Sequence, residues 1–162
     1  MKVWNERPFE IRNLFNPAFC GLIILRALQG FEEEDESGMP FSLAILILPI
    51  CLHKDSRQII LDRSRSYFLK TISDNPQMLI GFATRTQSLL PYTLEGLGLA
   101  MQFQSFEVTD SGRLRMKEWG VRKKVDGTQE SIDCQRVARI LGKNFAKIGD
   151  RVTIYTTLGV KP

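Results

Sequence analysis

The most apolar stretch of the chain covers residues 40–52, where only Ser42 carries a polar side-chain group. It is too short to cross a bilayer, which takes about 20 apolar residues, so we expect a buried core element. Its isoleucines favour a strand, whereas its length and Pro40 at a first helical position favour a helix. We expect a helix that Pro49 kinks or ends near Leu48, because proline removes an amide donor and clashes with the preceding turn.

A second strong pattern begins at Asn16-Pro17, where asparagine caps a helix and proline occupies its first position. The apolar residues that follow at near-helical spacing are Phe19, Leu22, Ile23, Leu25, Ala27 and Leu28. This spacing predicts a helix over residues 17–33. We expect an extended arm before it, over residues 4–14, and a solvated acidic turn after it, over residues 32–36.

The middle of the chain predicts shorter helices. Ser56 is a candidate cap for one through residue 61, and residues 63–72 form another. We expect His53 to close the core helix, where a cation suits the carbonyl end of the helix dipole. Asn75-Pro76 predicts the start of a helix that runs through about residue 90. We expect Pro91 to break this helix and to begin another, which runs to about residue 104.

Residues 106–117 alternate apolar and polar side chains on both sides of a turn at residues 110–112, which predicts a β-hairpin. Two helices joined by a tight turn and followed by a hairpin are the order of a winged helix-turn-helix. After a polar loop from Trp119, Ser131 or Asp133 caps a last long helix that Gly149 ends.

The expected fold is therefore mostly α with a β-hairpin wing, in one compact domain over residues 1–162. Its parts are a helical half (1–75), a winged-helix-like part (76–118) and a basic helical part (119–162). Cys20, Cys51 and Cys134 are far apart, so we expect buried free thiols and neither a disulfide nor a metal site. The N-terminus has no apolar signal core, so we expect a cytoplasmic protein.

Charge is unevenly distributed. Residues 1–112 hold 10 Lys/Arg against 13 Asp/Glu, a net −3, whereas residues 113–162 hold 12 against 5, a net +7. A basic wing and loop could contact phosphates with little sequence preference. The candidate nucleic-acid-binding residues are Arg113, Arg115, Lys117, Arg122, Lys123 and Lys124.

The predicted recognition helix, over residues 91–104, contains neither Arg nor Lys and carries the acidic Glu95. It offers little that reads base edges, so we expect this part of the chain to pack against protein rather than DNA. The candidate partner-binding residues are Trp4, Tyr92, Leu94, Leu97 and Met101. Phosphate-binding, hydrolase and metalloprotease motifs are missing from the sequence, so we expect no catalysis and no cofactor.

Several motifs together resemble one family. They are Trp4-Asn-Glu-Arg-Pro8 with Asn16-Pro-Ala-Phe-Cys20, Gly38-Met-Pro-Phe41 before Leu48-Pro-Ile-Cys-Leu-His-Lys54, Leu90-Pro-Tyr-Thr93, and the closing Ile154-Tyr-Thr-Thr-Leu-Gly-Val-Lys-Pro162. The chain resembles the middle component of three-component ABC systems, and the resemblance spans nearly its whole length.

The resemblance implies a prokaryotic conflict or anti-phage operon of the Lamassu type. The chain would be a non-catalytic subunit between an SMC-like ABC ATPase and an effector, similar to the winged-helix accessory subunits of SMC complexes. The alternative is a free-standing winged-helix DNA-binding regulator, which would bind duplex DNA on its own.

Overall fold

The computed structural model describes residues 3–118 and 120–161. Its helices are α1 (Phe9–Leu14), α2 (Pro17–Glu32), α3 (Phe41–Ala44), α4 (Ile47–Cys51), α5 (Lys54–Asp62), α6 (Phe68–Asp74), α7 (Phe82–Gln102), α8 (Gln129–Ile148) and α9 (Arg151–Thr157). Its strands are β1 (Met39–Pro40), β2 (Phe106–Val108) and β3 (Arg113–Met116). The mostly helical fold expected from the sequence is confirmed. Trp119 and Pro162, placed above in the polar loop and the closing motif, lie outside the described residues.

The central helix is α2, which lies between α7 and α8. It begins as predicted, with the Asn16 side chain accepting a hydrogen bond of 2.8 Å from the amide of Ala18 and Pro17 at its first position. Glycines allow the close approach of its neighbours. A Cβ on Gly96 of α7 would lie 2.7 Å from the backbone nitrogen of Gly21, and one on Gly142 of α8 would collide with the carbonyl oxygen of Ala27.

Most of the apolar stretch over residues 40–52 is buried and helical as predicted, although Pro40 belongs to β1 and Phe41 is exposed. The break in the helix lies elsewhere than predicted. α3 ends at Ala44, and α4 continues through Pro49 to Cys51. The predicted kink near Leu48 is therefore wrong in position. In an unbroken helix the ring of Pro49 would clash with the carbonyl four residues earlier, that of Ile45, and the helix is interrupted at that turn.

α7 is one continuous helix with Pro91 inside it, so the predicted break at Pro91 is wrong. The turn that precedes α7 is a 3₁₀ turn over Pro76–Leu79, followed by Gly81 at a φ of 66°. Pro91 has no amide to donate to the carbonyl of Gln87, but both residues are exposed, so water can satisfy that carbonyl. Without two helices joined by a tight turn at this place, the winged helix-turn-helix arrangement is not confirmed.

The predicted hairpin is present directly behind α7. β2 and β3 pair antiparallel with Glu107 opposite Arg115, and Gly112 takes a positive φ of 74° in the turn, where glycine has no steric cost. β1 pairs with the other edge of β3 and completes a three-stranded sheet that the sequence did not predict. The Glu32 carboxylate accepts a 2.6 Å hydrogen bond from the amide of Met116, which ties the end of α2 to this sheet.

The N-terminal segment is not an extended arm. Trp4–Glu6 forms a 3₁₀ turn and α1 follows, packed on α7 through Phe15, whose ring stacks on Tyr92 with centroids 4.5 Å apart. One helical stretch, Phe9–Glu32, has the length and apolar content to span a membrane. However, 56% of its most apolar window is buried inside the fold, as in a core helix.

The helix ends predicted at His53, at Ser56 and at Ser131 or Asp133 differ from those in the structure. His53 begins α5 instead of closing the core helix: its Nδ1 accepts a 3.3 Å hydrogen bond from the amide of Ser56, which lies inside the helix. Burial and then the nearby Arg85 lower the pKa of His53, which also disfavours the cation expected there. Thr128, rather than Ser131 or Asp133, caps α8, whereas Gly149 ends it as predicted.

Candidate interaction surfaces

The structure divides the basic set predicted to bind nucleic acid into cations that pair with an acid and cations for which only exposure is observed. Arg113 donates to the hydroxyl of Ser37 at 3.0 Å and to the carbonyl of Gly38 at 2.8 Å, with Asp35 at 3.5 Å. Hydrogen bonds from Ser37 lower the pKa of Asp35, and the positive charge of Arg113 lowers it further. Arg113 therefore holds the start of β3, the central strand of the sheet, against the turn before β1.

The other wing and loop cations are more exposed. Arg115 pairs with Glu107 on the neighbouring strand, and Lys124 pairs with Asp126 at 3.2 Å. Lys117, Arg122 and Lys123 are exposed. The backbone carbonyl of Lys124 accepts a 3.0 Å hydrogen bond from the buried guanidinium of Arg26, which fixes the loop to α2. Half of the predicted set thus has an acidic partner within the fold.

The candidate partner-binding residues lie around α7, but on different sides of it. Leu94 is 49% exposed and Met101 is 52% exposed. Tyr92 is half-buried beneath Phe15, and Trp4 is half-buried near it. Leu97 is only 6% exposed and belongs to the core, so it is not part of the free surface.

We use the name α7 stripe for the exposed residues Pro91, Leu94, Gly98 and Met101. They are separated by three, four and three positions, which is the spacing of the apolar seam of a coiled coil. Phe103, just beyond the helix end, is 76% exposed but lines a depression between α2 and α7, so it is not part of this stripe. The stripe lies opposite the face of α7 that packs on α2.

One edge of the α7 stripe is bordered by the pairing of Arg7 with Glu95. The guanidinium makes two hydrogen bonds to the carboxylate, one of them 2.7 Å between Nη1 and Oε2. It also lies 5.5 Å from the ring centre of Trp4 and 6.0 Å from that of Tyr92. The hydrogen bond from Arg7 lowers the pKa of Glu95, so the pair is charged at neutral pH and fixes the N-terminal segment beside the stripe.

A further set of cations lies on the outer face of α8. Arg136, Arg139, Lys143 and Lys147 follow one another along this face, and the turn between α5 and α6 brings Arg65 towards it. The spacing in α8 was visible in the sequence. The opposing turn was not, because it is placed by packing of α5 on α8.

The cysteines and the histidine offer no reactive arrangement. All three thiols are buried, and burial raises the pKa of Cys20 to about 12. The thiol of Cys134 donates to the backbone carbonyl of Cys51 at 3.3 Å, so it is engaged in packing. In the part of the chain that the structure describes, no three His, Cys, Asp or Glu side chains come together as metal ligands.

Comparison with known proteins identifies a family. The family model described as "ABC-three component (ABC-3C) system Middle Component 3" matches residues 4–162. No curated protein matches the chain, and no solved structure does. The family match covers the motifs that carry the resemblance seen in the sequence, and it confirms that resemblance. The chain therefore belongs to the Middle Component 3 family of ABC-three component systems.

Proposed function

We propose that this protein is a non-catalytic accessory subunit that links an SMC-like ABC ATPase to an effector in a prokaryotic anti-phage or conflict system. Family membership supports an accessory role beside the other components of such a system. The proposal places this role in the cytoplasm, with ATP hydrolysis and the effector reaction carried out by the partners.

The observation that carries the proposal is the α7 stripe. Its leucine and methionine are about half exposed, and coiled-coil spacing suits a helix laid along them. SMC-like ATPases contain long coiled coils, so one of their helices is the occupant we propose. An amphipathic helix in a groove is a common mode of protein recognition, with anchors every three to four residues.

Gly98 supports a helix–helix contact at this place. A Cβ on Gly98 would meet nothing within 4 Å, so the fold of this chain gives no steric reason for glycine. A glycine inside a helix costs about 1 kcal/mol relative to alanine. Close approach of a partner helix would supply a reason, as the Gly96–Gly21 contact does inside the fold.

The test is co-purification with the ATPase and the effector encoded beside this gene. We expect the chain with Leu94→Glu and Met101→Glu to lose at least tenfold in affinity for the ATPase, because two carboxylates would enter an apolar contact. Val152→Glu is the control for a carboxylate at an exposed apolar position, because Val152 is 55% exposed but lies on α9. Retention of the ATPase by the double variant, or equal loss in the control, contradicts the proposed docking face.

A free-standing DNA-binding regulator is the second candidate, and Lys117, Arg122 and Lys123 are the exposed cations that favour it. It predicts that the isolated chain shifts duplex DNA with an affinity that falls steeply with salt. Under the accessory-subunit proposal, the isolated chain binds duplex DNA weakly and co-purifies with its partners. Gel-shift titration beside the co-purification separates the two.

A further inference from the structure

The outer face of α8 and the turn between α5 and α6 enclose a groove that no predicted function uses. It consists of two adjoining depressions of about 360 and 460 Å³, which share Ser64, Ile140 and Lys143. We call it the α8 groove. The cations that line it are Arg65, Arg136, Arg139, Lys143 and Lys147.

The charge of the α8 groove is only partly neutralised within the fold. Glu33 pairs with Arg139 and Lys143, and Glu34 lies 3.5 Å from Lys147. Two carboxylates thus pair with three cations. Arg65 and Arg136 make no ion pair with any residue in the ranges 3–118 and 120–161 that the structure describes.

Glu33 also gives the groove a fixed geometry. Burial opposes its ionisation, but the hydrogen bonds from Arg139 and Lys143 outweigh burial and lower the pKa of its carboxyl. The carboxylate is therefore charged at neutral pH and holds these two side chains in place. Their heads stay accessible, since the side chains are 49% and 37% exposed.

The length and lining of the groove fit a linear polyanion. Arg136 and Lys147 are eleven residues apart, which is about 16 Å along a helix. Ile140 lies half-buried in both depressions, and Tyr67 stands 55% exposed at one of them, beside Lys143 and Lys147. Cations that follow a backbone, together with an exposed aromatic ring on which a base can stack, are the features of single-strand binding sites.

We propose that the α8 groove binds the phosphate backbone of single-stranded nucleic acid, with Tyr67 stacking on a base. The site is separate from the wing and loop cations and from the α7 stripe. A subunit docked through α7 would keep this groove free to contact nucleic acid beside its ATPase partner.

The experiment measures fluorescence anisotropy of a labelled single strand of about 20 nucleotides, a length that exceeds typical single-domain sites. The groove variant is Arg65→Glu with Arg136→Glu, two exposed positions without ion pairs. The control is Arg122→Glu with Lys123→Glu, which makes the same charge change in the loop. We expect at least a tenfold loss of affinity in the groove variant and less than a threefold loss in the control.

Two further readouts separate a built site from general charge attraction. Loss of two phosphate contacts lowers the slope of log affinity against log salt by about 1.4 for a single strand. Tyr67→Ala should weaken single-strand binding several-fold and leave the weaker duplex binding unchanged, because only unpaired bases can stack. The neutral variant Arg65→Gln with Arg136→Gln, checked by thermal unfolding, guards against an effect of misfolding.

The proposal is overturned if the wild-type chain shows no saturable single-strand binding at about 50 mM salt, where phosphate contacts are much stronger than at physiological salt. It is also overturned if the groove variant binds like wild type, or if duplex is preferred. If oligonucleotide binding is unchanged but a partner protein is lost from the groove variant, the groove instead recognises an acidic protein surface.

Discussion

α2 and α7 are both long, apolar and interrupted by glycines, yet the structure uses them differently. α2 is covered on two sides, by α7 and by α8, and its apolar residues from Ile23 to Leu28 are buried. α7 packs mainly on α2, with smaller contacts to α4 and the N-terminal segment, and the α7 stripe remains exposed. The apolar surface of α2 is covered within the chain, whereas the α7 stripe is the surface on which we propose that a partner docks.

The glycines of these helices show the same difference. Gly30 and Gly142 lie where α2 and α8 touch backbone to backbone, and Gly96 lies where α7 touches α2. Gly98, two residues further along α7, points away from the fold with open space around it. The same residue type thus marks internal helix contacts on one face and an unoccupied face on the other.

The largest expected effect is at the α2–α8 contact. Gly142→Ala should destabilise the chain by more than about 3 kcal/mol, because the new Cβ collides with the backbone carbonyl of Ala27, which cannot move aside without shifting α2. Urea unfolding measures the change. A loss under about 1 kcal/mol would mean that the helices separate easily and that the contrast with α7 is weak.

A second prediction concerns the Arg7–Glu95 pair, which fixes α1 beside the α7 stripe. The folded pKa of Glu95 lies below its ordinary value of 4.5, so the pair contributes stability above that pH and loses it as pH falls through the folded pKa. Arg7→Leu should lower the melting temperature at pH 7 and flatten the dependence on pH below 4.5.

The control for this prediction is Arg63→Leu, which removes an exposed pairing of 3.4 Å with Asp74. Surface pairs contribute little, so the melting temperature should barely change. Equal effects of the two substitutions would show that the N-terminal segment is not held on α7 by this pair.

The smallest expected effect has the opposite sign. Gly98→Ala should stabilise the isolated chain by about 0.5–1 kcal/mol, because alanine favours the helix and meets no neighbour. If a partner helix approaches here, the same substitution should weaken partner binding. Stabilisation without loss of binding would leave the glycine unexplained and would place the contact elsewhere.

Local signals in the sequence predicted much of the fold. Asn16-Pro17 and Gly149 marked helix ends correctly, since caps depend on a few adjacent residues. The period-two pattern found the hairpin. The break predicted at Pro91 is wrong because an exposed proline loses only one hydrogen bond, which water can replace, while the packing of α7 on α2 continues past it.

The candidate surfaces were less predictable, because they depend on partners far apart in the sequence. Arg113 makes hydrogen bonds to Ser37 and Gly38, and Arg7 pairs with Glu95. Strand β1, Met39–Pro40, forms only by pairing with β3, which lies far from it in the sequence. Likewise, the α8 groove needs the turn at residues 64–67, which no periodicity places opposite α8.

The central claim is that the exposed face of α7 is the docking surface of an accessory subunit. Site-specific photo-crosslinking in the assembled complex tests it most directly, with the reactive residue placed at Leu94, at Met101 and, as a control, at Val152 of α9. The account predicts crosslinks to the ATPase from Leu94 and Met101 and none from Val152. The account is contradicted if only Val152 crosslinks to the ATPase. It is also contradicted if neither Leu94 nor Met101 crosslinks to any partner while the complex remains intact.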